Sequence, residues 1–197
     1  NGFTGVIGIS GLKQDNQYGG QRFFVPNYLL YNSAAYTTIR WRKMKWEVEA
    51  GARVDYREQS VYRNIKGTVV QNDYRFTNPG LSAGLLFKQD SSISWTLNAG
   101  TAYRPPSINE WFSNGLHHGT ATFETGDSSL GVEKAYNVIG GVRIQNRKLA
   151  VGASLYYLYI KDYIYLIPDE SPVLTVSGAF PSFAYSHVDA SFKGVDL

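Results

Sequence analysis

The sequence predicts an all-β fold, an antiparallel up-and-down transmembrane β-barrel of which this chain supplies about eight strands. Three observations predict it. Long segments alternate apolar and polar residues, the connections between them are alternately short and long, and aromatic residues gather at the two ends of the segments. Successive side chains of a strand point to opposite faces, so alternation builds a ribbon with one apolar and one polar face. A membrane-crossing strand needs only about 9–11 such residues.

Taken in order, the first segment covers residues 3–10 and the second 30–41. The third, 46–57, is the clearest. Trp46, Val48, Ala50, Ala52, Val54 and Tyr56 alternate with Glu47, Glu49, Gly51, Arg53, Asp55 and Arg57. It is about twice the usual strand length and, tilted, covers an apolar band of about 25 Å. The fourth, 80–88, carries Leu81, Ala83, Leu85 and Phe87 on one face. In the fifth, 93–103, Ile93, Trp95, Leu97, Ala99, Thr101 and Tyr103 share a face. The sixth, 133–145, sets Tyr136, Val138, Gly140, Val142 and Ile144 against Glu133, Asn137 and Arg143. The seventh, 149–162, is less regular, with Tyr156 and Leu158 on its polar face, and the eighth is 187–197.

Short turns are expected at Arg42–Lys45, Gln89–Ser92 and Gln145–Lys148, and long polar connections at 11–29, 58–79, 104–132 and 163–186. In a meander, alternate connections fall on opposite rims, so all the short ones share one rim. Outer-membrane barrels have this asymmetry, with short periplasmic turns and long extracellular loops. Trp41, Trp46 and Trp95 lie by the short turns and Tyr56, Tyr103, Tyr157 and Tyr159 toward the long loops. Two such belts of amphipathic rings belong where a barrel meets the headgroup layers.

Composition narrows the function. There is no Cys, so neither disulfides nor a thiolate site are expected. A net charge of +3, with Lys and Arg dispersed, argues against nucleic acid. Mean hydropathy is −0.26 and no apolar run is long enough for a spanning helix. No nucleophile motif, phosphate loop or metalloprotease helix appears, so no enzyme is expected. Charges on the polar faces, namely Glu47, Glu49, Arg53, Asp55 and Arg57, read as interstrand ion pairs in the wall ahead of the lining of a substrate path. His117–His118, flanked by glycine in the 104–132 connection, is the sharpest local feature. Neutral imidazole accepts zinc or haem iron, and Glu110, Glu124 and Asp127 lie nearby in sequence as helpers; hydrogen bonds that stabilise the loop are the other reading of this pair. The chain starts and stops inside strand patterns, so residues 1–197 are expected to be part of a longer barrel domain.

The stretch Ala102–Asn137 (AYRPPSINEWFSNGLHHGTATFETGDSSLGVEKAYN) resembles a signature of TonB-dependent outer-membrane receptors. In that family a Tyr/Phe-Arg-x-Pro element closes a strand. A loop with Glu-aromatic, Gly and His follows, then an acidic turn, and a Glu and Asn open the next strand. Tyr103, Arg104, Pro105, Pro106, Glu110, Gly115, His117, His118, Gly119, Glu124, Gly126, Leu130, Glu133 and Asn137 occupy these places. Where haem receptors of the family read FRAP and NPDL, this chain reads YRPP and GDSSL.

The resemblance implies a section of a barrel of about 22 strands around an N-terminal plug, in the outer membrane of a Gram-negative bacterium. The partners implied are outer-membrane lipid, TonB acting through the plug, and an extracellular small-molecule ligand. That ligand would be an iron-siderophore, haem or another metal chelate, zinc included, carried as cargo and not as a resident cofactor. Signal peptide, plug and C-terminal strands would lie outside this chain. Ligand contacts would come from His117, His118, Tyr103, Arg104, Glu110 and Glu124, with His117 and His118 toward a metal. Two other functions fit the strand pattern: a passive porin, and a soluble β domain that binds through its loops. The soluble reading requires Val48, Ala50, Val54 and Leu97 to lie in a dry core.

Overall fold

The computed structural model describes residues 2–19 and 24–197. The elements are β1 (Gly2–Asn16), β2 (Asn27–Lys43), β3 (Trp46–Ile65), β4 (Thr68–Lys88), β5 (Ile93–Arg104), α1 (Ile108–Phe112), β6 (Asn114–His117) and β7 (Thr122–Thr125). They continue with β8 (Glu133–Gln145), β9 (Ala150–Pro168), β10 (Val173–Thr175), β11 (Gly178–Phe180) and β12 (Ser182–Asp196). Eight long strands form one antiparallel meander in the order β1-β2-β3-β4-β5-β8-β9-β12. The wall does not close. Among the described residues β1 has β2 as its one neighbour, and below Ala184 β12 pairs with β9 alone.

The register puts the apolar residues together. Ile39, Ala50, Ala83, Ala99, Val138 and Tyr157 form one cross-strand row, and Trp41, Val48, Leu85, Leu97, Gly140 and Leu155 another. No described residue covers them. Val48 is 39% exposed, Leu97 49% and Val54 50%, and Ala50 is exposed too. The soluble reading fails on these four residues, because the face that should have been its core is bare.

The height of this face matches a bilayer. From Trp46 to Tyr56 is ten residues, or ~33 Å along a strand; a tilt of 35–45° reduces that to about 23–27 Å. At the lower end Trp46 stacks on its cross-strand partner Phe87, ring centroids 4.3 Å apart, and Phe3 lies 6.4 Å from Trp41. Counted up from the row joining Trp46, Phe87, Trp95 and Val142, the upper tyrosines step down across the wall. Tyr56 is ten residues up β3, Tyr103 eight up β5 and Tyr136 six up β8. A belt that descends steadily against the strand register is what tilted strands produce.

All three short turns lie on one rim, as the meander requires. The first contracts to Met44–Lys45, with Met44 at φ 51°. The long connections differ from expectation. Residues 58–79 are no loop: β3 and β4 run on past the belt to a two-residue turn, Lys66–Gly67, with φ 51° and 86°. Positive φ at both central positions marks the type I′ turn favoured in hairpins. Beyond the lipid the outward positions no longer have to be apolar, so Glu58 and Ser60 follow Tyr56 on that face and the alternation becomes invisible. β1 likewise reaches Asn16, β2 starts at Asn27, β9 reaches Pro168 and β12 starts at Ser182, all inside expected loops. Residues 20–23 of the expected 11–29 connection lie outside the described residues. Tyr156, irregular in the sequence pattern, lies over its cross-strand partner Gly194, where a Cβ would meet its hydroxyl at 2.5 Å.

The polar face is built from ion pairs, as expected for part of its charge. Arg40 and Glu49 are directly opposed and 2.6 Å apart, and Arg42 pairs with Glu47 at 2.6 Å. Arg53 and Asp55 pair along a single strand at 2.7 Å, and Arg57 bonds Asn32 across to β2. The small apolar core lies elsewhere, where Trp111, Leu130 and Ile164 pack with Tyr74, Phe76, Phe112 and Tyr185.

Candidate ligand-binding loop

The connection from β5 to β8 carries most of the resemblance residues, and its fold follows from a few anchors. Pro105 and Pro106 cannot donate to a strand ladder, so β5 ends at Arg104 and both prolines are buried. Ser107 then caps α1, and its N–H donates to the Glu110 carboxylate three residues on (2.7 Å). Trp111 is buried. Its indole N–H donates to the Leu130 carbonyl (2.9 Å), and its ring lies 4.6 Å from Tyr74 and 5.7 Å from Phe76. Tyr74 and Phe76 face Gln59 and Arg57 across the ladder, so the loop folds back onto the polar face of the wall. The return chain closes on the helix, with Gly126 N–H donating to Ser113 O (2.7 Å) and Asp127 N–H to Glu110 O (2.9 Å).

Arg104 ties the base of this loop to the wall. Its Nε pairs with Glu133, its cross-strand partner, and its Nη1 with Glu110 at 2.9 Å. Glu133 in turn accepts the Ile164 N–H at 2.7 Å. Both carboxylates are nearly buried while Arg104 is about half exposed. Arg104→Ala would leave two buried carboxylates without their cation, a cost of about 2 kcal/mol once the exposure of the arginine is discounted. Amides of 105–132 should then exchange with deuterium about 30-fold faster than in the parent protein. Unchanged exchange would show that Arg104 does not anchor the loop.

At the tip, β6 and β7 form a hairpin, and β7 continues the sheet by pairing in parallel with Ser182–Ala184 of β12. This brings His117 to Glu124: Nδ1 lies 2.8 Å from Oε1. Glu124 is buried and also accepts from Thr122 Oγ1 (3.3 Å) and Tyr185 Oη (3.3 Å). Asn109 Nδ2 donates to that same Tyr185 oxygen at 3.2 Å. Burial, reinforced by the Glu124 charge, pushes the Tyr185 phenol above its ordinary value and keeps it a donor. His117 stacks on Phe24, centroids 5.0 Å apart, and remains half exposed. In the tautomer that donates Nδ1–H to Glu124, Nε2 is the ring's acceptor.

Of the six sequence candidates, His117 and Glu124 meet directly, and Arg104 and Glu110 meet at the loop base. His118 is exposed beyond the end of β6 and shares no bond with that cluster. Tyr103 stays on the outward face opposite Lys134, away from the loop. Asp127, the third helper, holds its own turn. Its carboxylate accepts from Ser129, which keeps it below the usual carboxylate range. Among the described residues no three His, Asp or Glu side chains converge as a metal centre. Trp111, the aromatic after Glu110 in the motif, completes the arrangement with Tyr185, Asn109 and Phe24, and the sequence pattern had singled out none of these last three.

The family described as "TonB dependent receptor-like, beta-barrel" matches residues 4–197. A search of curated protein sequences found no match. Among solved structures the chain is similar to the copper transporter OprC (TM-score 0.73, 18% identity, 98% of this chain and 32% of that one). It is also similar to the Serratia marcescens hemophore receptor HasR, solved with its hemophore HasA and haem (TM-score 0.77, 15% identity, 98% and 35%). The FrpB iron transporter of Neisseria meningitidis matches less fully (TM-score 0.53, 17% identity, 87% and 23%). The chain spans about a third of the length of the first two, and identities this low speak to a shared fold. With the family match running almost from end to end and the bare apolar wall beside it, this chain belongs to the TonB-dependent receptor β-barrel family.

Proposed function

We propose that this chain forms wall and extracellular loop of an outer-membrane receptor that imports a metal-bearing ligand, driven by TonB through a plug domain. The observation that carries the ligand class is the His117–Glu124 pair. A buried carboxylate holds Nδ1 at 2.8 Å, and Nε2, the ring nitrogen that Glu124 does not engage, belongs to a loop folded over the polar face. Carboxylate–imidazole pairs of this kind orient metal-ligating histidines. One imidazole is an incomplete coordination set, which suits a metal arriving already chelated, as in haem or a siderophore complex. The three similar structures support the class by their names: a copper transporter, a haem–hemophore receptor and an iron transporter.

The test is binding of three probes, haem, Cu(II) and a ferric siderophore, to the intact receptor in detergent. At least one should bind, and His117→Ala should weaken that binding about 10–100-fold while Glu124→Gln weakens it by about tenfold. A probe that binds equally to all three proteins would remove His117 from the ligand path. Binding of none would overturn the metal-bearing class.

A further inference from the structure

Charge above the aromatic belt is unevenly distributed on the outward face. On β3 and β4 it is neutralised within the wall, since Arg75 pairs with Glu58 at 2.9 Å. On β8, β9 and β12 it includes three lysines beside Asp162 and Asp189. Lys134 and Lys161 are directly opposed across the ladder, two residues above the Tyr136–Tyr159 pair, whose rings stack 6.3 Å apart. Lys193 faces Tyr157 on the next strand, where the descending belt has dropped to that level. Among the described residues, the ion pairs of the outward wall involve none of these three lysines. Asp189, whose carboxylate is within electrostatic reach of Lys161, accepts from the Tyr159 hydroxyl (2.8 Å) and the Asp162 N–H (3.0 Å). Asp162 itself faces His187 at 3.3 Å. Like charges placed directly opposite each other on a sheet destabilise it unless an anion lies between them.

We infer that this lysine–tyrosine patch binds the phosphate headgroup of a glycolipid in the outer leaflet. The inference rests on the membrane orientation proposed above, in which the long-loop rim is extracellular. The patch then lies at headgroup depth, where tyrosines mark the interface and basic side chains attract anionic headgroups. Ammonium groups bind phosphate as point charges, and phenol hydroxyls add neutral donors. A free anion from solution would have no reason to select the lipid-facing side at this depth; a headgroup is held there by its own acyl chains.

The test uses the intact receptor extracted from outer membranes in mild detergent, with bound lipid counted by native mass spectrometry. The variants are Lys134→Gln/Lys161→Gln/Lys193→Gln together, the same three positions changed to Arg, and Arg75→Gln as an outward control. The triple Gln protein should retain at least tenfold less phosphorylated glycolipid, while the triple Arg and Arg75→Gln proteins retain the parent amount. Enzymatically dephosphorylated glycolipid should bind weakly and equally to all four proteins. Equal retention of phosphorylated lipid by the parent and triple Gln proteins would overturn the inference, as would tight binding of the dephosphorylated form. Recovery of the parent protein in the outer-membrane fraction keeps these failures separate. If it is not found there, the membrane reading and the lipid site fall together; if it is, a negative lipid result removes the site alone.

Discussion

Ala83→Arg should prevent this protein from assembling in the outer membrane, whereas Asn98→Arg on the neighbouring strand should be tolerated. Ala83 lies four residues above Phe87, near the middle of the apolar stretch of β4, in the row with Ile39, Ala50 and Ala99. A guanidinium there would sit near the bilayer midplane at a cost of about 2–4 kcal/mol, a large fraction of the stability of any folded domain. Asn98 is one position away but points to the other face, on the row that also holds Arg40, Glu49 and Gly84. A new arginine there meets the carboxylates of Glu47 and Glu49, which line the same hollow. The measurement is the fraction of each variant that reaches the outer membrane in a heat-modifiable, folded form. A tolerated Ala83→Arg with a rejected Asn98→Arg would mean that the two faces have been assigned the wrong way round.

The same physics explains which parts of the fold were legible in the sequence. Between Trp46 and Tyr56 the lipid dictates every second residue, so the face could be read directly from the alternation. Above Tyr56 that constraint ends. Gln59 and Val61 still point inward and are fully buried, but Glu58 and Ser60 outside them are polar, and a strand with two mixed faces looks like a loop. The Lys66–Gly67 pair was the surviving signal of a hairpin. In the candidate site, His117 and Glu124 were legible because they are near in sequence and chemically conspicuous. Tyr185 was not, since it comes from 61 residues away and depends on the parallel pairing of β7 with β12. Tyr103 carries two readings: its parity with Trp95 and Leu97 places it outward, opposite Lys134 in the structure, and the motif resemblance makes it a candidate ligand contact.

Gly126→Ala should detach the 105–132 loop from the wall while leaving the wall intact. A Cβ at this position would lie 2.5 Å from the Trp111 carbonyl carbon and 2.6 Å from the Phe112 nitrogen. Both are backbone atoms of α1, so no side chain can swing away to relieve the contact. Either the helix moves off Tyr74 and Phe76 or the return chain moves off the helix. Each route breaks the Gly126–Ser113 and Asp127–Glu110 backbone bonds and loosens the buried Trp111. Overpacking of this kind costs about 1–3 kcal/mol. It would be concentrated in the loop, because the long strands are held by their own ladders. Limited proteolysis should therefore cut within 105–132 in the variant and not in the parent, with both still folded in the outer membrane. Ligand binding should fall in parallel, since Glu124 is two residues from Gly126 and its hold on His117 depends on the same hairpin. If the variant resists cleavage as well as the parent does, the loop is not held by this close contact. The orientation of His117 would then have to come from the β7–β12 pairing alone.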